Sequence, residues 1–306
     1  MKVLVTGADG FVGRWLVPRL RELGHSVLAA AGGRADGEAG SLTLDLRDAD
    51  SVRAAAARDP DWVVHLAGVS SVSASIADPV GTWEVNALGT THLVEALAER
   101  RAKAGSDPVV LVVSSAEVYG PGKRDPRLET DEVAPVTPYA TSKAAAEAGS
   151  LDVAKRTGLR VIVARPFPHI GRGQATRFVV PGFIERIRLA KQMGAPVVNT
   201  GNLEPVRDFL DVRDVVDAYI ALLERGASGE VYNVATGEGI RLEDLFYTIA
   251  ELVKYRVIPE RDASLARASD IPHLVGNSGK LRAATGWAPR FSLEQTLQSM
   301  LDAEAH

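Results

Sequence analysis

Tyr139 and Lys143 stand four residues apart in PYATSK (138–143). On a helix, that spacing places a phenol and an ammonium on one face. A cation beside a phenol favours the phenolate, so a nearby ammonium, together with a positively charged cofactor ring, would lower the tyrosine pKa and let a proton be exchanged there. The same spacing also arises on ordinary surface helices. It gains meaning from Ser115 upstream, in VVLVVSSAEVYG (109–120). A serine at a strand end can hold a substrate oxygen that gains or loses a proton. Glu117 shares that tip. It could be a base that strips a proton from a substrate, a substrate contact, or a solvated loop residue.

A second cluster opens the chain. TGADGFVG (6–13) sets Gly7, Gly10 and Gly13 three residues apart, with Phe11 and Val12 between the last two. After a strand and before a helix, the first glycine permits a tight turn, the second lets a pyrophosphate approach the backbone, and the third lets the helix pack against the strand. The helix start offers unpaired N–H groups and a positive dipole end. This predicts a dinucleotide site; the alternative is a merely tight turn. Asp45, in LDLRD, could accept from an adenine amino group or simply end a strand in polar fashion. No acid follows the second strand directly, where a ribose-reading carboxylate would stand. Arg34 stands there instead. An arginine suits a 2′-phosphate, which leans the expectation to NADP over NAD; a solvated loop arginine is the other reading.

Positioning these groups requires alternating strands and helices. Strands are expected at 2–6, 26–31, 41–46, 61–68, 109–115 and 159–165, with helices over 11–23 and 81–100. Apolar strands alternating with amphipathic helices argue for a parallel sheet covered on both faces. Ligands bind beyond the carboxyl ends of such strands. The second half is less regular. Polar loops at 171–178, 201–208 and 261–270 separate a helix at 211–225 and a further strand at 230–235. The expected fold is α/β: a Rossmann-type doubly wound parallel sheet with a smaller, discontinuous C-terminal substrate lobe. The dinucleotide-binding part is expected over 1–166 and about 203–235, and the substrate lobe over about 167–202 and 236–306.

Bulk properties narrow the class. A net charge of −4 and no dense Lys/Arg cluster argue against nucleic acid as a partner. No apolar run reaches a membrane-spanning length, and the first strand is too short for a signal peptide. The absence of cysteine rules out disulfides, thiol catalysis and cysteine-held metals. A soluble cytoplasmic protein without a metal site is expected.

TGADGFVG, DL at 45–46, HLAG at 65–68, SSAEVYG and YATSK together resemble the extended short-chain dehydrogenases/reductases, the NAD-dependent epimerase/dehydratase family. The resemblance runs from residue 1 to about 300. It implies Ser115, Tyr139 and Lys143 as the catalytic triad, with Asn86 of EVNALGT on the lysine side of the proton path. It implies Leu46, Leu66, Ala67 and Gly68, with the glycine loop and Asp45, as cofactor contacts, and nucleoside-diphosphate sugars as substrates. RPFPHIGRGQ (165–174), 201–219, YNVATG (232–237) and 267–289 are similar to the subgroup that reduces the C4 ketone of GDP-4-keto-6-deoxy-mannose to GDP-rhamnose. That implies Ser71, Glu117, His169, Arg207 and Arg267 as substrate contacts. Two arginines in polar loops also suit a doubly anionic diphosphate, although ordinary surface charge looks the same.

Two positions depart from the subgroup pattern RPFNHIGPGQ: Pro168 replaces its asparagine and Arg172 its proline. Pro168 has neither an amide side chain nor a backbone N–H. Related 4,6-dehydratases carry a glutamate at the place of Glu117, preceded in many by an aspartic acid. Here that neighbour is Ala116, which cannot donate a proton. The resemblance therefore implies a reductase, with 4,6-dehydratase and 4-epimerase as alternatives; a cofactor-binding sensor would lack the tyrosine or the lysine. Family members dimerise through the helices at 81–100 and around Tyr139. The small residues of TSKAAAEAGS suit such a homodimer and suit packing within one chain equally.

Overall fold

The structure is a computed structural model and describes residues 1–32, 40–265 and 271–303. Its centre is a seven-stranded parallel sheet. The strands are β1 (Lys2–Thr6), β2 (Ser26–Ala31), β3 (Ser41–Thr43), β4 (Trp62–His65), β5 (Val109–Val113), β6 (Arg160–Pro166) and a last strand, Val231–Val234. Across the sheet they run Val231–Val234, β6, β5, β4, β1, β2, β3. The chain order reverses between β1 and β4. There the connections leave to opposite sides and open a crevice at the carboxyl ends.

The helices in chain order are α1 (Gly13–Glu22), α2 (Ala49–Ala56), α3 (Val72–Ala77), α4 (Pro79–Trp83), α5 (Gly89–Ala104), α6 (Pro138–Thr157), α7 (Val179–Met193), α8 (Val212–Arg225), α9 (Leu242–Val253), α10 (Gly279–Thr285) and α11 (Leu293–Ala303). Leu16 and Leu20 of α1 and Val215, Tyr219 and Leu222 of α8 bury against one face of the sheet. Val52 of α2, Leu93 and Leu97 of α5 and Val153 of α6 cover the other. Each such aliphatic side chain contributes roughly 1.5–3 kcal/mol when fully withdrawn from water. Ile184 and Ile187 of α7, Phe246 and Ile249 of α9 and Leu297 of α11 form a third core of their own. Short strands decorate this region: Val206–Arg207 lies between Ile240–Arg241 and His273–Leu274.

Three expectations are corrected. The strand expected over 41–46 stops at Thr43, because Leu44 and Leu46 turn into the core beneath α2. The polar stretch 201–208 contains a strand, since Val206 donates to the Pro272 carbonyl at 2.9 Å. The helix expected over 81–100 is interrupted by a π-helical turn at Glu84–Leu88. π turns often occur at functional sites, and this one carries Asn86. The start of α6 follows its sequence: Thr137 accepts from the Ala140 N–H at 3.1 Å and Pro138 takes the first turn.

Candidate active site

The glycine loop has the shape of a pyrophosphate cradle. Gly7 adopts φ +68°, and a Cβ there would lie 2.8 Å from the Ala67 nitrogen, so the loop and the β4 exit touch backbone to backbone. A Cβ on Gly13 would lie 2.4 Å from the Gly7 carbonyl oxygen, which seats α1 directly on the turn. Gly10 is exposed, and its missing side chain would meet only the Gly7 oxygen. Val12 begins α1 without a side-chain cap, leaving N–H groups for an anion. Phe11 leaves the loop to stack on His169, with centroids 6.2 Å apart and planes 6° from parallel. These residues fit a dinucleotide. Asp45 is half-exposed, and its carboxylate takes Arg47 Nε at 3.1 Å and Nη2 at 3.0 Å. Leu46 is buried under the same turn. Arg34 lies outside the described residues.

A directed hydrogen-bond chain joins this loop to the next. The Ala67 N–H donates to Thr6 Oγ1 at 3.1 Å, and Thr6 Oγ1 meets His65 Nδ1 at 2.7 Å. His65 Nε2 lies 2.9 Å from Thr90 Oγ1, whose single proton goes to the Asn86 carbonyl at 2.6 Å. Thr90 must therefore accept from Nε2–H, and Nδ1 must accept from Thr6. Burial, and then the charge of Lys143, hold the imidazole down to about 3. It stays neutral, as the chain requires. Asn86 continues the path. Its Oδ1 accepts from the Val69 N–H at 2.8 Å, and its Nδ2 donates to the Val69 carbonyl at 3.1 Å and to Ser142 Oγ at 3.0 Å. Gly68 fits here because a Cβ would lie 2.7 Å from Asn86 Oδ1 and 3.6 Å from Lys143 Nζ. Leu66 donates to the Thr6 carbonyl at 3.2 Å.

Ser115, Tyr139 and Lys143 come together at the tip of β5. Ser115 caps the short helical turn Ala116–Tyr119 by accepting from the Glu117 N–H at 3.2 Å. Lys143 Nζ donates to the Val113 carbonyl at 2.8 Å. Burial brings its ammonium down to about 8, with the Glu147 charge opposing. The protein groups around the tyrosine act in the opposite sense to such a lowering. Burial first and the Glu117 carboxylate second push the phenol well above its ordinary value, against a hydrogen bond with Ser115. The ammonium points to the β5 backbone instead of lowering it. Glu117 is thus a charge beside the phenol, half-buried and on the same turn. Ala116 is 1% exposed and packed in the core.

The remaining substrate candidates are more dispersed. Ser71 caps α3 and pairs with Ser73 Oγ at 2.8 Å. His169 Nδ1 donates to the Phe167 carbonyl at 3.0 Å, and burial keeps the ring below its ordinary pKa. Pro168 accepts from Leu210 N–H at 2.8 Å, which joins the short strands around His169 and Leu210. Arg207 Nη1 donates to the Val206 carbonyl at 2.9 Å. Burial and the charges of Arg124, Arg207 and Arg127 lower the nearby His273, which marks a positive edge. Arg267 lies outside the described residues.

Sequence reasoning passed over several residues that build the site. Ser75 Oγ accepts from the Tyr139 N–H at 3.1 Å and so fixes where α6 begins. Asp208, fully buried, accepts from Thr236 N at 3.0 Å, Thr236 Oγ1 at 2.6 Å and Gly237 N at 2.9 Å, tying the loop after the last strand to the Arg207 strand. Asp208 adjoins Arg207 in RDF, but nothing in that motif says where its carboxylate points.

Residues 3–235 match the model of the NAD dependent epimerase/dehydratase family. The chain belongs to this family. This family member is 35% identical to the GDP-6-deoxy-D-mannose reductase of Pseudomonas aeruginosa over 98% of its own length and 96% of the relative's. It is 30% identical to the GDP-6-deoxy-D-talose 4-dehydrogenase of Aggregatibacter actinomycetemcomitans over 98% and 97% of the two chains. Its fold matches RMD from Pseudomonas aeruginosa, solved in complex with NADPH, with a TM-score of 0.86 at 33% identity, covering 99% of this chain and 98% of that one. Among the described residues no helix is long and apolar enough to cross a membrane.

Proposed function

We propose that this protein uses NADPH or NADH to reduce the C4 ketone of a nucleoside-diphosphate 6-deoxy-4-keto sugar, GDP-4-keto-6-deoxy-D-mannose giving GDP-D-rhamnose. The observation that carries the reading is the geometry at the tip of β5, where the Tyr139 phenol meets Ser115 and the Lys143 ammonium meets the Val113 carbonyl, with Gly68 between Asn86 and Lys143. Reduction needs an acid at the carbonyl oxygen, and a phenol placed against Ser115 can give its proton there. The bound nicotinamide supplies the hydride that goes to C4. Ser115 holds the ketone oxygen, Tyr139 gives it a proton as it becomes a hydroxyl, and Lys143 with Asn86 lines the route for reprotonation. Likeness to a GDP-sugar reductase along nearly the whole chain supports the substrate class.

Within this reading, residues 1–166 with about 203–235 hold the cofactor, and about 167–202 with 236–306 hold the nucleotide sugar. In this reading Arg207 and Arg267 are assigned to its diphosphate, and Ser71, Glu117 and His169 to the sugar. Arg34 and the NADPH-bound relative favour NADPH. A homodimer through the helical stretch 81–100 and α6 is supported by the exposed Ala148 of α6 and by Leu88 of the π turn before α5, 47% exposed. A dehydratase is disfavoured by Ala116, whose buried methyl offers no proton to a departing C6 hydroxyl.

With GDP-4-keto-6-deoxy-D-mannose, purified protein should oxidise NADPH or NADH stoichiometrically, and Tyr139→Phe should nearly abolish this. Conversion of GDP-D-mannose to the keto sugar without net cofactor use would establish a dehydratase instead.

A further inference from the structure

Glu147 lies one helical turn beyond Lys143 on α6, is 4% exposed, and has no part in the chemistry above. Its carboxylate accepts from Arg165 Nε at 3.0 and 3.1 Å, from Arg165 Nη2 at 2.7 Å, and from the Ser114 hydroxyl. Arg165, on β6, is 5% exposed, and its guanidinium lies 4.9 Å from the ring centroid of Tyr119, in the turn after Ser115. The Tyr119 hydroxyl in turn donates to Asn233 Oδ1 at 2.7 Å on the last strand. A buried ion pair gives up the hydration of both charges and adds little stability over apolar residues of like volume. What this pair contributes lies in its geometry.

Three consecutive residues at the tip of β5 each meet one of three residues spaced by a turn along α6. Val113 takes the Lys143 ammonium at 2.8 Å, Ser114 donates to Glu147, and Ser115 bonds Tyr139. The Ser114 rung is anchored to the neighbouring strand through a side chain as well as through backbone. The Ser114 N–H donates to the Ala164 carbonyl at 2.8 Å, and the adjacent Arg165 side chain returns to Glu147. We propose that Glu147 is a positioning residue: held at once by Ser114 and Arg165, it sets the separation between Ser115 on β5 and the Tyr139–Lys143 face of α6. Its charge is the negative one beside Lys143. The other groups around that ammonium among the described residues are His65 on β4, Asn86 on the π turn and the Val113 carbonyl on β5, with Arg165 of β6 behind Glu147.

The inference rests on the reductase reading for its rate assay, so the wild-type rate is measured first and judges that reading alone. Two full-length variants follow: Glu147→Gln, and the double variant Glu147→Leu/Arg165→Met, which removes both charges and keeps the volume. Glu147→Gln should lose thermal stability, and the double variant should regain it. Both should show kcat reduced ~10- to 100-fold, as misplacement on the order of 1 Å produces, with the KM for NADPH within about twofold of wild type. In Glu147→Gln the alkaline limb of the rate should also move to lower pH. If the double variant recovers kcat together with stability, or if Glu147→Gln keeps the wild-type rate, Glu147 is a packing residue and the proposal is overturned. A crystal structure of the double variant decides the question without any substrate: the Ser115 and Tyr139 hydroxyls should separate, and an unchanged separation refutes it.

Discussion

His65 offers a quantitative test of the hydrogen-bond chain. Its ring is 1% exposed, donates from Nε2 and accepts at Nδ1, so only the neutral form satisfies both partners. Its pKa is about 3 in the folded protein, against an ordinary 6.5. The unfolded chain therefore binds the extra proton first. Stability conferred by neutral His65 is complete above about pH 6.5 and is lost progressively as the pH falls towards 3. At pH 5 the unfolded imidazole is almost fully charged and the folded one is not, which costs about 2 kcal/mol relative to pH 7.5. At pH 5 this loss is nearly the same for any folded value below about 4. Urea unfolding followed by tryptophan fluorescence, at several values between pH 7.5 and 5, measures it. His65→Gln keeps a donor and an acceptor but cannot titrate. Wild type should lose about 2 kcal/mol more than this variant across the range. Curves that stay parallel within about 0.5 kcal/mol would show that the ring is not held neutral by the fold.

Two further outcomes follow from the site. Because the Lys143 ammonium titrates near 8, kcat/KM for reduction should fall as the pH rises through that value; a rate flat to pH 9.5 would remove lysine from the proton path. Gly13→Ala places a methyl 2.4 Å from the Gly7 carbonyl oxygen and 2.6 Å from that of Ala8. It should cost about 1–3 kcal/mol of stability and abolish measurable NADPH binding by calorimetry; wild-type affinity in this variant would contradict the packing role of the glycine.

Much of this site could be read from local pattern, and the rest depends on distant residues meeting. The glycine loop and the Thr137–Pro138 helix start are legible because their backbone geometry demands particular residue types. Tyr139 and Lys143 share a face by helical spacing alone. How the protein's own groups act on the tyrosine depends on burial and on where Lys143 points, and spacing states neither. The π turn that aims Asn86 at Val69 and Ser142 carries no compositional mark. Glu147 and Arg165 are 18 residues apart, on a helix and a strand, and only the fold joins them. The strand Val206–Arg207 spans two residues, too few for alternation to show.

The stacking of Phe11 on His169 bears on how such enzymes can be recombined. A ring from the turn before α1 supports the strand His169–Ile170, far along the chain, so the two segments share a wall. A chimera spliced between them near residue 167 would inherit mismatched surfaces unless positions 11 and 169 travelled together from one parent.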